Sequence, residues 1–332
     1  MINMLYIEEA VLDHPRVEAL RARLSHRPQV VIKRWGEVFN RKAQSFSLQK
    51  QNPSLILAEK HDGFVLPAPE AYNIGSQHNY YFSHMQNCVY DCRYCFLQGM
   101  YRSAHYVLFV NYENFFEEIA RLANVHQNQE VHFFSGYDCD SLALEPVTAF
   151  ADYALDQFSG YANAVIELRT KSTQIRSLMH REPLSNCVIA MSLSPQVIVD
   201  ALEAKTPSLQ KRLGALSDLQ QRGWKIGLRF DPVIYDVNFK VSYASLFEQV
   251  FRTLDSQALH SVSLGVFRMP KVFYDRITRL YPNEPLLAWR LLQSNGKVSY
   301  EPAIAEEVMD YCRRQLLLYI DERKLYLCEE RL

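Results

Sequence analysis

The sequence has no uninterrupted apolar run of about 18 residues, so it predicts no membrane-spanning helix. Its first ten residues lack the basic segment and following apolar segment that are typical of a secretory signal. Neither sign of charge is in excess, because 36 Lys and Arg residues nearly balance 37 Asp and Glu residues and leave a net charge of −1. This balance argues against a surface that binds polyanions everywhere, although it allows a local basic groove.

Cysteine is scarce and unevenly placed. The chain has only seven cysteines in 332 residues, and three of them fall between Cys88 and Cys95. An odd number with one tight cluster is not the pattern of a disulfide framework, so we expect the reducing environment of the cytoplasm. The sequence also lacks internal repeats and a glycine-rich phosphate loop of the Walker or Rossmann type. Nothing in it predicts an oligomeric state.

From about residue 76 the sequence alternates short apolar strands with amphipathic helices. This alternation predicts parallel strand pairing through right-handed crossovers, and about six units fall short of a closed eight-fold barrel. The sequence therefore predicts an α/β fold, a partial (β/α)6 TIM-type barrel with N- and C-terminal extensions. The predicted strands are Tyr80–His84, Glu130–Phe134, Ala164–Arg169, Cys187–Leu193, Trp224–Phe230 and His260–Val266. The predicted helices between them are Asn114–Ala123, Pro146–Phe158, Ser208–Gly223 and Leu246–Leu254.

The chain divides into three predicted regions: an N-terminal α/β extension at 1–75, the barrel at 76–266 and a C-terminal extension at 267–332. The first should contain a helix near 12–25 and a strand near 29–33. The last should contain a turn at 294–297, a helix from 302 to about 320 and a strand at 325–328. Basic and aromatic residues interleave in the N-terminal region, a mixture that suits phosphate contacts and base stacking or a packed segment with a solvated basic edge.

Three cysteines form a C-x3-C-x2-C pattern at Cys88, Cys92 and Cys95. Thiolates are soft ligands, and a closed zinc site or a closed iron–sulfur cluster uses four protein ligands. Three cysteines would fix three irons of a 4Fe–4S cluster and leave the fourth iron open to a small molecule. Two alternatives remain at this point: a structural zinc site with His84 as the fourth ligand, or three cysteines that bind no metal.

Polar residues follow several of the predicted strands. Ser135 and Gly136, Lys171, and Ser192 end three of them, and active sites of such barrels lie at the carboxyl ends of the strands. Glycine allows a ligand to approach the backbone, lysine supplies a compact positive charge and serine supplies a hydroxyl. Taken singly, each of these residues could equally belong to a surface loop.

The cysteine spacing is typical of the radical S-adenosylmethionine (SAM) enzymes, and further stretches resemble their spore photoproduct lyase-like branch. The resemblance covers nearly all of the chain, so it is far more specific than the cysteine pattern alone. It rests on Gly36–Arg41, Gln49–Lys50, Pro53–Ala58, Cys88–Gln98, Asp140–Glu145, Thr170–Lys171, Lys205–Ser208, Arg229–Ile234, Leu264–Arg268 and Leu325–Cys328.

The resemblance implies a lyase-type enzyme with a 4Fe–4S cluster and SAM, which generates a 5′-deoxyadenosyl radical. It implies a DNA lesion such as a thymine dimer, or a modified base, as the substrate, and a reducing partner such as flavodoxin or ferredoxin. Arg268 would then lie toward the substrate, on the side of the C-terminal extension. The implied cluster ligands are Cys88, Cys92 and Cys95, and the implied SAM contacts are Ser135, Gly136, Cys139, Lys171 and Ser192.

The sequence departs from the family pattern where hydrogen is returned to the product. Tyr137 stands at the position of the type enzyme's hydrogen-donor cysteine, and Cys139 replaces a serine that contacts SAM there. Phe96 replaces a tyrosine that relays the radical, whereas the companion tyrosine is kept as Tyr94. A phenol can give up a hydrogen atom but a phenyl ring cannot. Tyr137, Cys139 and Tyr94 are therefore the candidates for radical handling.

Two other functions fit the same sequence. The chain could be a radical SAM enzyme that acts on a protein or a small molecule. It could also be a non-catalytic, metal-stabilised protein that binds nucleic acid. Cleavage of SAM under reducing conditions separates the enzyme from the binding protein, and salt-dependent binding to DNA separates a nucleic-acid substrate from the others.

Overall fold

The computed structural model describes residues 2–69 and 72–328, so residues 1, 70, 71 and 329–332 of the predicted extensions lie outside the described residues. The strands, in chain order, are β1 (Leu5–Glu8), β2 (Gln29–Ile32), β3 (Leu55–Ala58), β4 (Leu66–Pro67), β5 (His78–Phe82), β6 (Met85–Gln86), β7 (Asp91–Cys92), β8 (Tyr106–Phe109), β9 (Val131–Ser135), β10 (Ala164–Thr170), β11 (Cys187–Ser192), β12 (Glu203–Ala204), β13 (Lys225–Val233), β14 (Leu259–Val266), β15 (Arg268–Pro270), β16 (Leu291–Ser294), β17 (Lys297–Tyr300) and β18 (Leu325–Leu327). The α-helices are α1 (Pro15–Arg23), α2 (Phe46–Gln51), α3 (Leu97–Met100), α4 (Tyr112–Val125), α5 (Glu145–Thr148), α6 (Phe150–Phe158), α7 (Arg176–Met179), α8 (Gln196–Leu202), α9 (Leu209–Arg222), α10 (Phe239–Thr253), α11 (Lys271–Leu280) and α12 (Pro302–Leu316).

The largest sheet has the strand order β18-β14-β13-β11-β10-β9-β5-β4. Its strands run parallel from β5 to β18, and β4 is added antiparallel at one edge. Every residue of β9 and β11 is buried, as expected for parallel strands that are covered on both faces. The predicted partial (β/α)6 barrel is confirmed, and each of its six predicted strands is present within two residues of the predicted ends, apart from the longer carboxyl end of β13.

The barrel helices follow the predicted pattern with two exceptions. Helix α10 begins at Phe239, seven residues before the predicted start at Leu246. The predicted helix at 146–158 is divided at Ala149, which adopts a left-handed conformation with φ of 47°. The Glu145 carboxylate accepts a hydrogen bond from the Ala151 N–H at 2.9 Å. This side chain satisfies a free backbone donor at the first turn of α6, so a new helix starts there.

A second sheet, with the order β2-β1-β3-β8-β6, contains the N-terminal strands. The predicted helix and strand of this region are confirmed as α1 and β2. Two of the sheet's strands, β6 and β8, come from later in the chain and lie on either side of the cysteine motif. The N-terminal region is therefore hydrogen-bonded to the segment that carries the cysteines.

The C-terminal region packs on the helix that follows the cysteine motif. Strands β15, β17 and β16 form a small antiparallel sheet, whose predicted turn contains Asn295 and Gly296 with φ of 48° and 75°. Helix α11 packs on α3, and the Arg276 guanidinium donates hydrogen bonds to the Gly99 and Met100 carbonyls at 2.9 and 3.0 Å. Within residues 2–69 and 72–328, no helix combines the length and apolar character that crossing a bilayer requires.

The contact between α3 and α11 generates a stability prediction. A Cβ added at Gly99 would lie 2.8 Å from the backbone carbon of Phe273 and would overlap its carbonyl oxygen. Gly99→Ala should therefore lower the free energy of unfolding by about 1–3 kcal/mol, although alanine favours a helix over glycine. The thermal midpoint of the metal-free protein, followed by circular dichroism, measures this loss.

Gly214→Ala is the matched control. Gly214 is exposed within α9, and a Cβ there would meet no atom within 4 Å, so this variant should keep or raise the thermal midpoint. Equal midpoints for the two variants would contradict the close packing of α3 on α11.

Candidate active site

A cavity of about 220 Å³ lies at the carboxyl ends of the barrel strands. Residues from the cysteine segment, the strand ends, the N-terminal region and the C-terminal region all line it. It brings together most of the side chains that the sequence predicts for the site. Those that line it are Cys88, Cys92, Cys95, Tyr94, Gly136, Tyr137, Cys139, Lys171 and Ser192.

The cysteine segment is held in place by its own backbone and by α8. Strand β7 pairs antiparallel with β12, so that Cys92 lies opposite Glu203. The Arg93 N–H donates to the Leu202 carbonyl at 2.8 Å, and the Cys95 N–H donates to the Cys92 carbonyl at 3.1 Å. These bonds fix the backbone that presents the three thiols to one cavity.

The donor chemistry of the three thiols fits a metal–sulfur group. Burial raises the pKa of Cys88, Cys92 and Cys95, and the nearby charge of Lys171 lowers the pKa of the last two. Buried thiolates need compensating positive charge, which an iron–sulfur cluster supplies through one iron for each sulfur. Among the described residues, no three His, Cys, Asp or Glu side chains form a ligand set for a metal ion. Cluster ligation by these cysteines therefore stays a prediction.

His84, the alternative fourth ligand, lies between β5 and β6 and does not line the cavity. Its ring stacks on Phe150 with centroids 3.7 Å apart and planes within 2°, and it meets Tyr112 edge-on. Burial lowers the pKa of His84 to about 3, so the ring is neutral and serves the apolar packing between the barrel and its helices. Its packing gives no support to a zinc site shared with the cysteines.

Lys171 is positioned by a carboxylate at the end of the neighbouring strand. The Asp140 side chain accepts hydrogen bonds from the Thr170 hydroxyl at 2.6 Å and from the Lys171 N–H at 2.7 Å. The same carboxylate accepts from the Leu142 and Ala143 N–H groups at 3.0 and 2.9 Å. Asp140 thus joins the loop after β9 to the end of β10 and fixes the backbone from which Lys171 enters the cavity.

A buried carboxylate that the sequence did not single out lies behind the cavity lining, in contact with Tyr94. Glu203 accepts hydrogen bonds from the Tyr94 hydroxyl and, at 3.0 Å, from the Ser194 hydroxyl, and it forms an ion pair with Arg212 in which neither side chain is exposed. Burial raises the pKa of Glu203, but the charges of Lys171 and Arg212 hold it below its ordinary value.

Lys171 belongs to the same charge cluster. Burial lowers its pKa, but the Glu203 carboxylate and Cys92 raise it above the ordinary value, so the side chain stays charged. Its Nζ lies 5.6 Å from the centre of the Tyr94 ring. The only sequence signal for this arrangement was the stretch Lys205–Ser208, whose Thr206 hydroxyl and Pro207 carbonyl accept hydrogen bonds from the Arg212 guanidinium.

Gly136 has a conformation and an environment that require glycine. Its φ is 83°, and a Cβ there would lie 2.5 Å from the Ser141 Oγ and 3.0 Å from the Ser141 nitrogen. The neighbouring Ser135 is fully buried, and its hydroxyl lies 3.2 Å from the Ser141 hydroxyl. Ser135 therefore supports the turn around Gly136, and its own side chain does not line the cavity.

One part of the cavity lining, the aromatic wall, consists of the rings of Tyr72, Phe96 and Tyr137. The Tyr137 ring lies 4.3 Å from Tyr81, 5.4 Å from Phe96 and 6.4 Å from Tyr72, measured between centroids. Arg268 lies 5.3 Å from the centre of the Tyr72 ring and donates to Asp231 at 2.9 Å. Flat rings and one paired guanidinium form a surface that suits aromatic ligands.

A family comparison matches this chain over the barrel and the start of the C-terminal region. The sequence model described as "Spore photoproduct lyase" matches residues 76–288. The spore photoproduct lyase of Bacillus subtilis is 20% identical over 202 residues, which cover 60% of this chain and 59% of that protein. The chain thus spans about 59% of the length of that curated relative. The spore photoproduct lyase of Clostridium acetobutylicum is 20% identical over 288 residues, covering 84% of this chain and 83% of that protein.

Solved structures share the whole fold. A spore photoproduct lyase double mutant with bound AdoMet and dinucleoside spore photoproduct superposes with a TM-score of 0.86 at 16% identity and covers 100% of this chain and 99% of that one. A spore photoproduct lyase complexed with dinucleoside spore photoproduct gives a TM-score of 0.84 at 17% identity, with 99% and 98% coverage. These likenesses establish the partial-barrel fold over the full length.

The Glu203 cluster generates a second stability prediction. Glu203→Gln removes the charge that compensates Arg212 and Lys171, so the free energy of unfolding should fall by about 3–5 kcal/mol. The double variant Glu203→Gln/Arg212→Met should recover much of this loss, because the unpaired buried guanidinium is then absent. Urea denaturation of the metal-free proteins measures both values.

Glu182→Gln is the matched control, because Glu182 pairs with Arg222 at 2.7 Å with its own side chain 87% exposed. It should cost less than about 1 kcal/mol. If Glu203→Gln costs no more than this control, Glu203 does not compensate buried charge.

Proposed function

The chain belongs to the spore photoproduct lyase family, and from this premise we propose that it is a lyase-type radical SAM enzyme that repairs a lesion in DNA. The observation that carries the proposal is the shared cavity, whose lining combines three thiols, a half-buried lysine and the aromatic wall at the carboxyl ends of the barrel strands. A dinucleoside spore photoproduct, the ligand of the related structures, is the favoured lesion. The free cysteines support a reducing, cytoplasmic location.

Cys88, Cys92 and Cys95 would hold three irons of a 4Fe–4S cluster, and the fourth iron would stay open for SAM. When bound, the cluster and SAM supply one-electron reduction and a 5′-deoxyadenosyl radical. Reduction requires an external low-potential donor of the flavodoxin or ferredoxin class. The reacting atoms would lie within the cavity, away from bulk water.

The other cofactor residues act by binding and orientation. Lys171 would pair its charge with the SAM carboxylate, and Glu203 and Asp140 keep that lysine charged and in place. The backbone of Gly136, held in a positive-φ turn that suits glycine, lines the cavity and would contact the SAM amino group. Ser192 supplies a hydroxyl on the cavity wall, and Cys139 lines the same cavity as a buried thiol.

The substrate would lie against the aromatic wall. The rings of Tyr72, Phe96 and Tyr137 can contact the faces of nucleobases, and Arg268 adds a positive charge beside them. This surface favours a nucleic-acid lesion over the alternative substrates, a protein or an unrelated small molecule. The net charge of −1 confines the interaction with DNA to the neighbourhood of the cavity.

The first test of the proposal replaces a cluster ligand. Cys92→Ala protein, purified and reconstituted without oxygen, should bind less iron than the wild type and form no 5′-deoxyadenosine from SAM and dithionite. Cys312→Ala is the control, because Cys312 is fully buried in α12, away from the cavity, and should keep both iron and SAM cleavage. Iron content and 5′-deoxyadenosine, with and without dinucleoside spore photoproduct, are the measurements.

The outcomes separate the candidate functions. Wild-type protein that forms 5′-deoxyadenosine and reverses the photoproduct is a repair lyase. SAM cleavage without reversal would redirect the search to a protein or small-molecule substrate. Bound zinc with no SAM cleavage would leave the non-catalytic nucleic-acid-binding protein as the surviving alternative.

A second test concerns the proposed SAM carboxylate site. Lys171→Gln should weaken SAM binding by roughly 10- to 100-fold, because a hydrogen bond to a charged group contributes about 1.5–3 kcal/mol. Iron content should stay at the wild-type level, since Lys171 is not a proposed ligand. Equilibrium dialysis with radiolabelled SAM and an iron assay measure the two effects. Unchanged SAM affinity in a variant with full iron content would rule out this role for Lys171.

A further inference from the structure

The ring of Tyr137 packs against two other aromatic rings, those of Tyr81 and Phe96. It lines the cavity, and the ring of Tyr81 lies 4.3 Å away at an interplanar angle of 32°. On its other side the ring of Phe96 lies 5.4 Å away, in the segment that carries the cysteines. A radical formed at Tyr137 therefore has a near phenolic neighbour in Tyr81, a more distant one in Tyr72 at 6.4 Å, and a phenyl neighbour in Phe96.

The phenyl ring of Phe96 cannot relay a hydrogen atom, because it has no O–H group. Phe96 thus prevents the transfer of a hydrogen atom between Tyr137 and the cysteine segment by this route. Tyr81 has an O–H group, is partly exposed, and stands on β5 next to the edge strand β4. A radical that passes from Tyr137 to Tyr81 therefore moves from the cavity toward the edge of the sheet.

The electrostatic surroundings keep both phenols protonated. Burial raises the pKa of Tyr137 and of Tyr81, and the nearby Asp138 carboxylate adds to both shifts. Burial likewise raises the pKa of Asp138 to about 6, against the opposing influence of Lys60 and of a hydrogen bond with Ser83. At neutral pH each ring therefore carries the O–H bond from which a hydrogen atom can be given.

We propose that Tyr137 donates the hydrogen atom that quenches the product radical, and that Tyr81 carries the resulting radical toward the surface. This inference rests on the proposed function and assigns the step that follows cleavage of the lesion. The Tyr137 O–H bond breaks and a C–H bond forms on the product, leaving a neutral tyrosyl radical. Transfer of a hydrogen atom from Tyr81 restores Tyr137. One electron from the low-potential donor and one proton from solvent then restore Tyr81.

The proposed steps use two electrons for each lesion and consume SAM. One electron cleaves SAM, and a second electron reduces the tyrosyl radical, while 5′-deoxyadenosine keeps the hydrogen atom that it took from the substrate. SAM is then a consumed cosubstrate, with one methionine and one 5′-deoxyadenosine formed for each lesion reversed. The hydrogen that reaches the product comes from an exchangeable O–H group, so it is exchanged with solvent.

The experiment uses the reconstituted full-length protein with dithionite, SAM and dinucleoside spore photoproduct in D2O. For the wild type we expect about one 5′-deoxyadenosine and one solvent-derived deuterium per product, and a tyrosyl radical signal in freeze-quenched electron paramagnetic resonance spectra. Tyr137→Phe keeps the ring but removes the O–H bond. It should lower product yield per 5′-deoxyadenosine by at least about tenfold and abolish the signal.

Two variants test the direction of the relay. Tyr81→Phe should leave hydrogen donation by Tyr137 intact. It should prolong the tyrosyl signal, because the Tyr137 radical can no longer take a hydrogen atom from residue 81. Phe96→Tyr places a phenol between Tyr137 and the cysteine segment. A radical that reached this phenol could regain its hydrogen atom from 5′-deoxyadenosine, so that SAM would be re-formed and the ratio of 5′-deoxyadenosine to product should fall below that of the wild type. Tyr161→Phe is the control, because the Tyr161 hydroxyl donates to the Phe116 carbonyl outside the cavity at 3.3 Å, and it should match the wild type.

The failure of this inference can be told from the failure of the proposed function. Wild-type yield, deuterium content and radical signal in Tyr137→Phe would overturn the assignment of Tyr137 alone. Loss of deuterium transfer in Cys139→Ala but not in Tyr137→Phe would overturn it in favour of the thiol. Absence of 5′-deoxyadenosine from the wild type and from every variant would overturn the proposed function, and this inference with it.

Discussion

The site depends on the compensation of buried charge around Glu203. Its carboxylate faces Arg212 from α9 and Lys171 from the end of β10, where the Glu203 and Arg212 side chains are fully buried and Lys171 is half-buried. An isolated charge in such a place is costly, so each of these groups is stable only while the others are present. The carboxylate also accepts the Tyr94 hydroxyl and lies opposite Cys92 in the β7–β12 pair. A single side chain thus connects the cysteine segment, the barrel and the charged end of Lys171.

A second connection joins the two extensions to the same segment. Lys50, in α2, donates hydrogen bonds to Asp91 at 2.6 Å, to Gln98, and to the Tyr281 hydroxyl at 3.2 Å. The Lys50 ammonium is largely buried, and burial lowers its pKa while Asp91 raises it. Residues distant in the sequence therefore meet around one cation beside the cavity. The cavity is a product of the whole chain, because Phe46 and Lys50 from the N-terminal region and Arg268 from the C-terminal region line it together with the barrel residues.

The barrel could be predicted from the sequence because its strands and helices repeat a simple pattern. Buried parallel strands such as β11 are continuous apolar runs, and the polar residues that follow them mark the edge where the site lies. The N-terminal sheet could not be predicted in full, because β6 and β8 join it from the two sides of the cysteine motif and only long-range pairing makes them strands. The role of Glu203 could not be predicted for a similar reason. It belongs to a two-residue strand, and its importance depends on neighbours that only the fold brings together. Ser135, by contrast, had the right position in the sequence, but alternation along β9 turns its side chain away from the cavity.

The two walls of the cavity are maintained by different forces, and this explains how one can change without the other. The cofactor wall is a set of coupled charges, so a substitution there leaves an uncompensated group and disturbs stability as well as chemistry. The aromatic wall consists of packed rings, in which Phe96 meets Tyr137 and Phe273. Phenylalanine and tyrosine have nearly the same shape, and a ring at position 137 can fill the space of smaller groups while it packs on Tyr81. Single O–H groups on this wall can therefore be gained or lost at little cost to the fold, although each one decides which atoms can supply hydrogen. For the proposed function, this means that the residues that would return hydrogen to the product can change without disturbing the residues that would hold the cofactors.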